Sequence, residues 1–319
     1  YYEAEKLTAP PQDDRALPDV SFGLYDDMVI FDHVDKTLRV VANVRVSDGK
    51  EVTSDETRVT REDAGSAGLE SRHSALVTSY QDACRRCDLI VQRLSQPSNL
   101  ALADIDLVDS LGIAVSQNQS QPQFEAGIEK GLDYIRAGDI FQFVPSIRLR
   151  VQSDAQPFDV YRALRVINPS PFMFYLKSPQ CTLIGASPEI LCRVQEGVVT
   201  TRPLAGTRRR GKSEAEDAAL ERELLADPKE VAEHIMFVDP ERTEICRVCE
   251  VGSVKVTERM TVERYSHVMH ISSDVQGKLA AGKTAFDAMR VSLPVGTVSG
   301  APKIRAMQII DEVEPTRRG

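Results

Sequence analysis

Two carboxylates three residues apart, Glu230 and Glu233, are the first places where this chain could do chemistry. On a helix such a pair shares one face and offers oxygen ligands to a hard cation such as Mg²⁺. The run Asp227-Pro228-Lys229-Glu230 combines an N-cap residue, a first-turn proline and an N3 glutamate, so a helix starts there and Glu230 is equally suited to capping it. His270 lies on a strand with Val268 and Ser272 on its face, either an acid–base group or a structural histidine. Glu189, after Ala186-Ser187-Pro188, sits where one strand gives way to another.

The stretch Pro294-Val295-Gly296-Thr297-Val298-Ser299-Gly300-Ala301-Pro302-Lys303 reads as a tight loop that opens into a helix with Ile304, Met307 and Ile310 at helical spacing. Gly296 and Gly300 let the main chain approach a ligand, and the helix start favours a carboxylate or phosphate. A nucleotide-binding Walker loop is excluded, because Ala301-Pro302 stand between the second glycine and Lys303.

Around these residues the pattern alternates strands and helices. Val20 to Phe31 and Leu38 to Val46 read as a hairpin, and Asp48 to Glu70 as a charged connection. Ser74 to Leu94 reads as a helix with Leu76, Tyr80, Cys84, Cys87 and Val91 on one stripe. After a polar segment, Phe124, Ile128, Leu132 and Ile135 trace a helix that Gly138 ends. Phe141 to Val151 reads as a strand, Phe158 to Ile167 as a helix, and Phe172 to Leu176 and Cys181 to Ala186 as strands. A hairpin turns at Glu196-Gly197, and Glu263 to Lys278 reads as one long strand. The boundary between a smaller front part, residues 1–115, and a larger back part, 116–319, is expected in the polar segment.

A net charge of −9 argues against general nucleic-acid binding, which needs clustered Lys and Arg. The N-terminus lacks a signal-peptide pattern and no apolar run is long enough to cross a bilayer, so a cytoplasmic, membrane-free protein is expected. Cys84/Cys87 and Cys246/Cys249 are spaced like zinc ligands but lie far apart in sequence, so idle thiols in a reducing compartment are the better reading. The chain starts at Tyr1 without Met and stops at Gly319, as a piece of a longer protein would.

Five segments then appear in a recognisable order: Gly185-Ala186-Ser187-Pro188-Glu189, Arg202-Pro203-Leu204-Ala205-Gly206-Thr207-Arg208, Lys229-Glu230-Val231-Ala232-Glu233-His234, Val262 through His270, and the Pro294–Lys303 loop. In these the chain resembles the chorismate-utilising enzymes, and closely the anthranilate synthase large subunits. The resemblance implies an α/β (α+β) fold of two packed β-sheets flanked by helices, truncated at both ends. Residues 1–115 would be the remainder of a regulatory part, and 116–319 the catalytic part, incomplete at its C-terminus.

The implied reaction joins chorismate and ammonia, supplied from glutamine by a partner amidotransferase subunit, and releases pyruvate. Glu189, His270 and Thr297 would be catalytic, and Ala205, Gly206, Thr207, Gly296, Ser299 and Gly300 would line the substrate site. Glu233 would ligate Mg²⁺, with Glu230 a ligand or a neighbour of one. Pro171, Phe172 and Met173 resemble part of a tryptophan feedback site. Ala205 separates this chain from the related aminodeoxychorismate synthases, which usually place a nucleophilic Lys there.

The resemblance has gaps. The family's Leu-x-Arg-Asn-Asp-x-Gly run is Pro240-Glu241-Arg242-Thr243-Glu244-Ile245-Cys246 here, and Leu-Ser-Gln-Arg is Pro145-Ser146-Ile147-Arg148. A cysteine in place of that glycine is expected to disfavour any special backbone angle. The family's glycine-rich C-terminal segment, with a carboxylate-binding arginine and further metal-binding glutamate, lies outside this sequence.

Overall fold

The computed structural model describes residues 11–18, 20–44, 67–98, 100–106 and 112–318, and for 67–76 the backbone alone. The chain forms two compact units. One spans Pro18–Leu102; the other joins the segment ending at Leu17 to the chain from Ala103 onward, so residue 115 falls inside it.

The smaller unit contains the antiparallel hairpin β1 (Asp27–Asp32) and β2 (Thr37–Ala42), shorter than its apolar runs suggest, and α1 (Ala67–Leu94). The expected connection from Asp48 to Glu70 falls up to residue 66 outside the described residues, and the helix is already under way at Ala67. Of the expected apolar stripe, the Leu76 side chain lies outside the described residues, while Tyr80 and Val91 are exposed and Ala83 is buried instead. An Arg86–Asp27 ion pair ties helix to hairpin.

The larger unit begins with β3 (Val115–Gln117), α2 (Gln121–Ala137), β4 (Gln142–Phe143), β5 (Leu149–Val151) and α3 (Pro157–Ile167). Gly138 ends α2 at φ 83, the left-handed cap that glycine takes without strain. The single strand expected from Phe141 to Val151 is broken into β4 and β5 around Pro145, which has no N–H to give a ladder. β4 pairs later with β13, and β5 with β3.

Next come the β6 (Phe172–Lys177)/β7 (Thr182–Ser187) ladder, then β8 (Ile190–Gln195), β9 (Val198–Arg202) and β10 (Leu204–Arg209). Glu196 at φ 51 and Gly197 at φ 75 make the tight turn between β8 and β9. Helices α4 (Glu214–Ala226) and α5 (Pro228–Cys246) follow, then β11 (Lys255–Arg264), β12 (Val268–Lys278) and α6 (Ala285–Ser292). A 3₁₀ turn at Gly296–Val298, β13 (Gly300–Ala301) and α7 (Lys303–Val313) complete the unit.

The segment expected as one strand from Glu263 to Lys278 is a hairpin arm, because Tyr265-Ser266-His267 turns the chain between β11 and β12. β12 is the centre of a five-stranded antiparallel sheet. β11 runs along one edge of it; β10 and then β9 share the other, with Pro203 between them. Met269 and Ile271 point into a core with Leu224, while Val275 joins Val199, Ile245 and Val248. Each such side chain contributes about 1.5–3 kcal/mol on burial. α5 packs on β10 and β12 and thereby sets the carboxylates of its first turns against β10.

Candidate active site

The site is assembled where β10 crosses β12. A register shift between Ala205 and Thr207, with Gly206 at φ 73, brings the Gly206 carbonyl to 3.2 Å from His270 Nδ1. A carbonyl only accepts, so Nδ1 is the donor in this contact. Thr207 Oγ1 lies 3.0 Å from the same Nδ1, and a side chain at Gly206 would crowd Ile271 at 3.1 Å.

Behind this pair stands the start of α5. Asp227 caps the helix, accepting from Lys229 N at 2.9 Å and Glu230 N at 3.5 Å. Glu230 therefore has no capping duty. Its Oε2 accepts from Thr207 N at 3.3 Å and its Oε1 lies 3.4 Å from Arg208, which also holds Asp227 and Glu223.

Glu189 is half-buried at the β7–β8 junction, where its N–H donates to Ser187 Oγ at 3.3 Å. Its carboxylate accepts from Leu204 N at 3.3 Å and from the Thr297 hydroxyl at 3.4 Å. Burial pushes Glu189 above the usual carboxylate range, and those two donors temper the rise. The segment expected to be regulatory flanks this junction: Phe172 pairs with Ser187 and Met173 with Ala186, while Pro171 is exposed beside them.

Tyr265, given no role by sequence reasoning, links the two proton-handling groups. Its hydroxyl donates to Glu263 at 2.5 Å and stands 3.4 Å from the carbonyl of Pro188; its ring is 5.7 Å from the His270 ring. Its place in a strand turn, spanning two strands' neighbours, is set by pairing far along the chain and leaves no local signal.

The Pro294–Lys303 loop does feed a helix, but the buried stripe of α7 is Ala306, Ile309 and Ile310, not Ile304 and Met307. Thr297 meets Glu189, whereas the Ser299 hydroxyl is used within the loop, donating to Val295 O at 2.8 Å. Gly300, at φ 134, has no room for a side chain: a Cβ would sit 2.2 Å from the Gln142 carbonyl. Cys246 closes α5 without positive φ, so cysteine in place of the family's glycine introduces no strain.

A cavity of about 540 Å³ is lined in part by this loop. Gly296 and Gly300 line it, as do Thr201, Glu241, Glu244 and Lys303; Glu189, His270, Thr297 and the Ala205–Thr207 backbone do not. The cavity thus adjoins the acid–base pair instead of containing it.

For Mg²⁺, the observed donors fit in kind. Glu233 is half-buried and its carboxylate has no hydrogen bond or ion pair among the described residues, while Glu230 one turn earlier is already balanced by Arg208. Mg²⁺ takes one or two carboxylates and keeps water. Among the described residues no group of three or more His, Cys, Asp or Glu gathers as a metal cage, and all six cysteines are free thiols. No helix among them is long and apolar enough to cross a membrane.

The alpha subunit 1 of chloroplastic anthranilate synthase from Arabidopsis thaliana is 46% identical over all of this chain and 51% of that protein. Anthranilate synthase component 1 of Acetivibrio thermocellus is 42% identical over 99% of the chain and 59% of its own length. The chain therefore spans about half the length of the curated relatives it matches. The crystal structure of anthranilate synthase component I from Streptococcus pneumoniae TIGR4 superposes with a TM-score of 0.79 at 35% identity, over 99% of this chain and 63% of that one. The chorismate binding enzyme family matches residues 1–319, and with the β10–β12 site in place the chain belongs to that family.

Proposed function

We propose that the complete protein carrying this chain is an anthranilate synthase large subunit, a magnesium-dependent lyase that converts chorismate and ammonia to anthranilate and pyruvate. The observation that carries this reading is Glu189, a half-buried carboxyl held by Leu204 N–H and the Thr297 hydroxyl. Its carboxyl, raised by burial, is placed to give a proton to the departing ring hydroxyl, and Thr297 would orient that group. His270, with Nδ1 tied to Gly206, presents Nε2 as the base for the ring proton.

Ala205 is buried and brings only a methyl group, so nitrogen must attack as free ammonia and not through an enzyme-bound amine. A glutamine amidotransferase subunit would supply it. Mg²⁺ held by Glu233, with Glu230 beside it, would neutralise a carboxylate of the substrate. The Pro171–Met173 segment, next to the strand that delivers Glu189, is the candidate point at which tryptophan would act. Six free thiols agree with a reducing compartment, and the cytoplasm is the expected one.

Anthranilate fluorescence on mixing the complete protein with chorismate, ammonium and Mg²⁺ tests this. Glu189→Gln is expected to lower kcat by about 10²–10⁴-fold, the usual worth of general acid–base catalysis. Wild-type turnover of chorismate to another product, or full activity in Glu189→Gln, would remove the assignment.

A further inference from the structure

The wall of the cavity beside the acid–base pair carries unbalanced polarity. Glu241 and Glu244, from the last turns of α5, both line it, and so does Lys303 from α7. Lys303 is taken: it forms a mostly buried ion pair with Glu244. Glu241 is left over, with its Oε2 buried and without a hydrogen bond. Thr201, 1% exposed at the end of β9, lines the same cavity, and its buried hydroxyl also has no partner.

Thr201 and Glu241 are neighbours, and the hydroxyl and Lys303 temper the rise that burial, Glu189 and Glu244 impose on the Glu241 carboxyl, while Arg247 also lines the wall. Buried polar groups are paired as a rule, and a buried carboxyl oxygen left without a partner points to a donor from the cavity. The rest of the wall restricts that donor. Phe141 and Phe237 line the cavity together with Leu191 and Val295. Aromatic faces attract ammonium-type cations, whereas a hard divalent metal requires several oxygen ligands.

We propose that this wall is a binding site for an ammonium group, with Glu241 and Thr201 as its hydrogen-bond acceptors. Resting on the reaction proposed above, the site would hold the nitrogen source beside the acid Glu189. Burial holds Glu241 up at about 8, so the empty site keeps its proton near neutral pH, and an ammonium guest would favour the carboxylate that accepts from it.

The complete protein and its Glu241→Gln and Thr201→Val variants would be compared in two assays. The first follows the thermal midpoint in matched concentrations of ammonium, methylammonium, potassium and tetramethylammonium chloride. Ammonium is expected to raise the wild-type midpoint above the tetramethylammonium value, with the rise lost in Glu241→Gln and reduced in Thr201→Val. A larger rise with methylammonium would identify an organic amine as the preferred guest of the same site. An equal rise with potassium, or a rise that survives Glu241→Gln, would overturn the proposal.

The second assay measures anthranilate formation against ammonium. Glu241→Gln is expected to raise the KM for ammonium about tenfold, the worth of one charge-assisted hydrogen bond, with the KM for chorismate unchanged. Equal changes in both constants would count against the site. A wild-type protein that makes no anthranilate would sink the reaction instead, and the binding assay would still decide the site.

Discussion

The two ends of α5 use the same residue type in opposite ways. At its start Asp227 caps the helix, and Glu230 is met by a backbone N–H and by Arg208. At its end Glu241 is buried without a hydrogen bond at its Oε2, and only Glu244 has a cation. A covered carboxylate that meets an arginine and a backbone N–H stays ionised at little cost, whereas one without such partners is neutral or needs a guest. One helix thus offers a charged edge to β10 and a proton-bearing edge to the cavity.

The largest test of this contrast is Lys303→Met, which leaves Glu244 buried without its partner. Breaking a mostly buried ion pair is expected to cost about 3 kcal/mol or more in chemical denaturation. A cost near zero would mean that Glu244 does not depend on Lys303 for its charge. Glu233→Ala acts at the opposite end, where stability should hardly change while the Mg²⁺ needed for half-maximal anthranilate formation rises about 10–100-fold. An unchanged Mg²⁺ requirement would detach the metal from this helix.

The smaller effects are pH slopes. Glu241 titrates at about 8 in the fold against 4.5 for an ordinary glutamate, so the unfolded chain loses this proton first. Stability therefore falls with rising pH across that window, by at most about 1.4 kcal/mol per unit. His234, buried on the first half of α5 with Nε2 2.7 Å from Ser273 Oγ, is pushed by burial from 6.5 to about 4. Here the unfolded chain gains the proton first, and stability is lost as pH falls through 6.5 toward 4. Denaturation between pH 4 and 9 should show Glu241→Gln removing the fall between about 4.5 and 8 and His234→Gln removing the loss below about 6.5, two slopes of opposite sign that overlap between 4.5 and 6.5. If Glu241→Gln left the slope between pH 6.5 and 8 unchanged, Glu241 would not hold that proton in the fold.

How much of this could be read beforehand follows from how local each signal is. The Glu196-Gly197 turn, the Gly138 cap and the Asp227-Pro228 helix start were legible, because each depends on a few adjacent residues with special backbone or capping chemistry. The turn at Tyr265-Ser266-His267 was not, since no glycine or proline marks it and the apolar pattern runs through. Pro145 did mark the break between β4 and β5, but the flanking apolar run outweighed it.

Among site residues, His270 and Glu189 were first picked out by their strand positions, Thr297 and the Ala205–Thr207 backbone took their roles from the family resemblance, and hydrogen bonds give them partners. Glu230 was read as a cap or a metal ligand, and its hold on Thr207 N was hidden because β10 lies more than twenty residues away. Glu241 and Thr201 carried no sequence signal. Their burial is decided by the loop and helix that close over them.

Gly300 bears on how this protein can change over generations. The loop that gives Thr297 to one pocket and a wall to the other passes through a position where every chiral residue would press on the Gln142 carbonyl and adopt a left-handed backbone, a strain of about 1–3 kcal/mol before the clash is counted. Gly296, four residues earlier, has Phe237 no nearer than 3.8 Å to an added Cβ. A saturation library over the loop, sorted for folded protein, should therefore return glycine alone at 300 and alanine freely at 296. Adaptation of either pocket has to proceed through neighbouring codons while that one stays fixed.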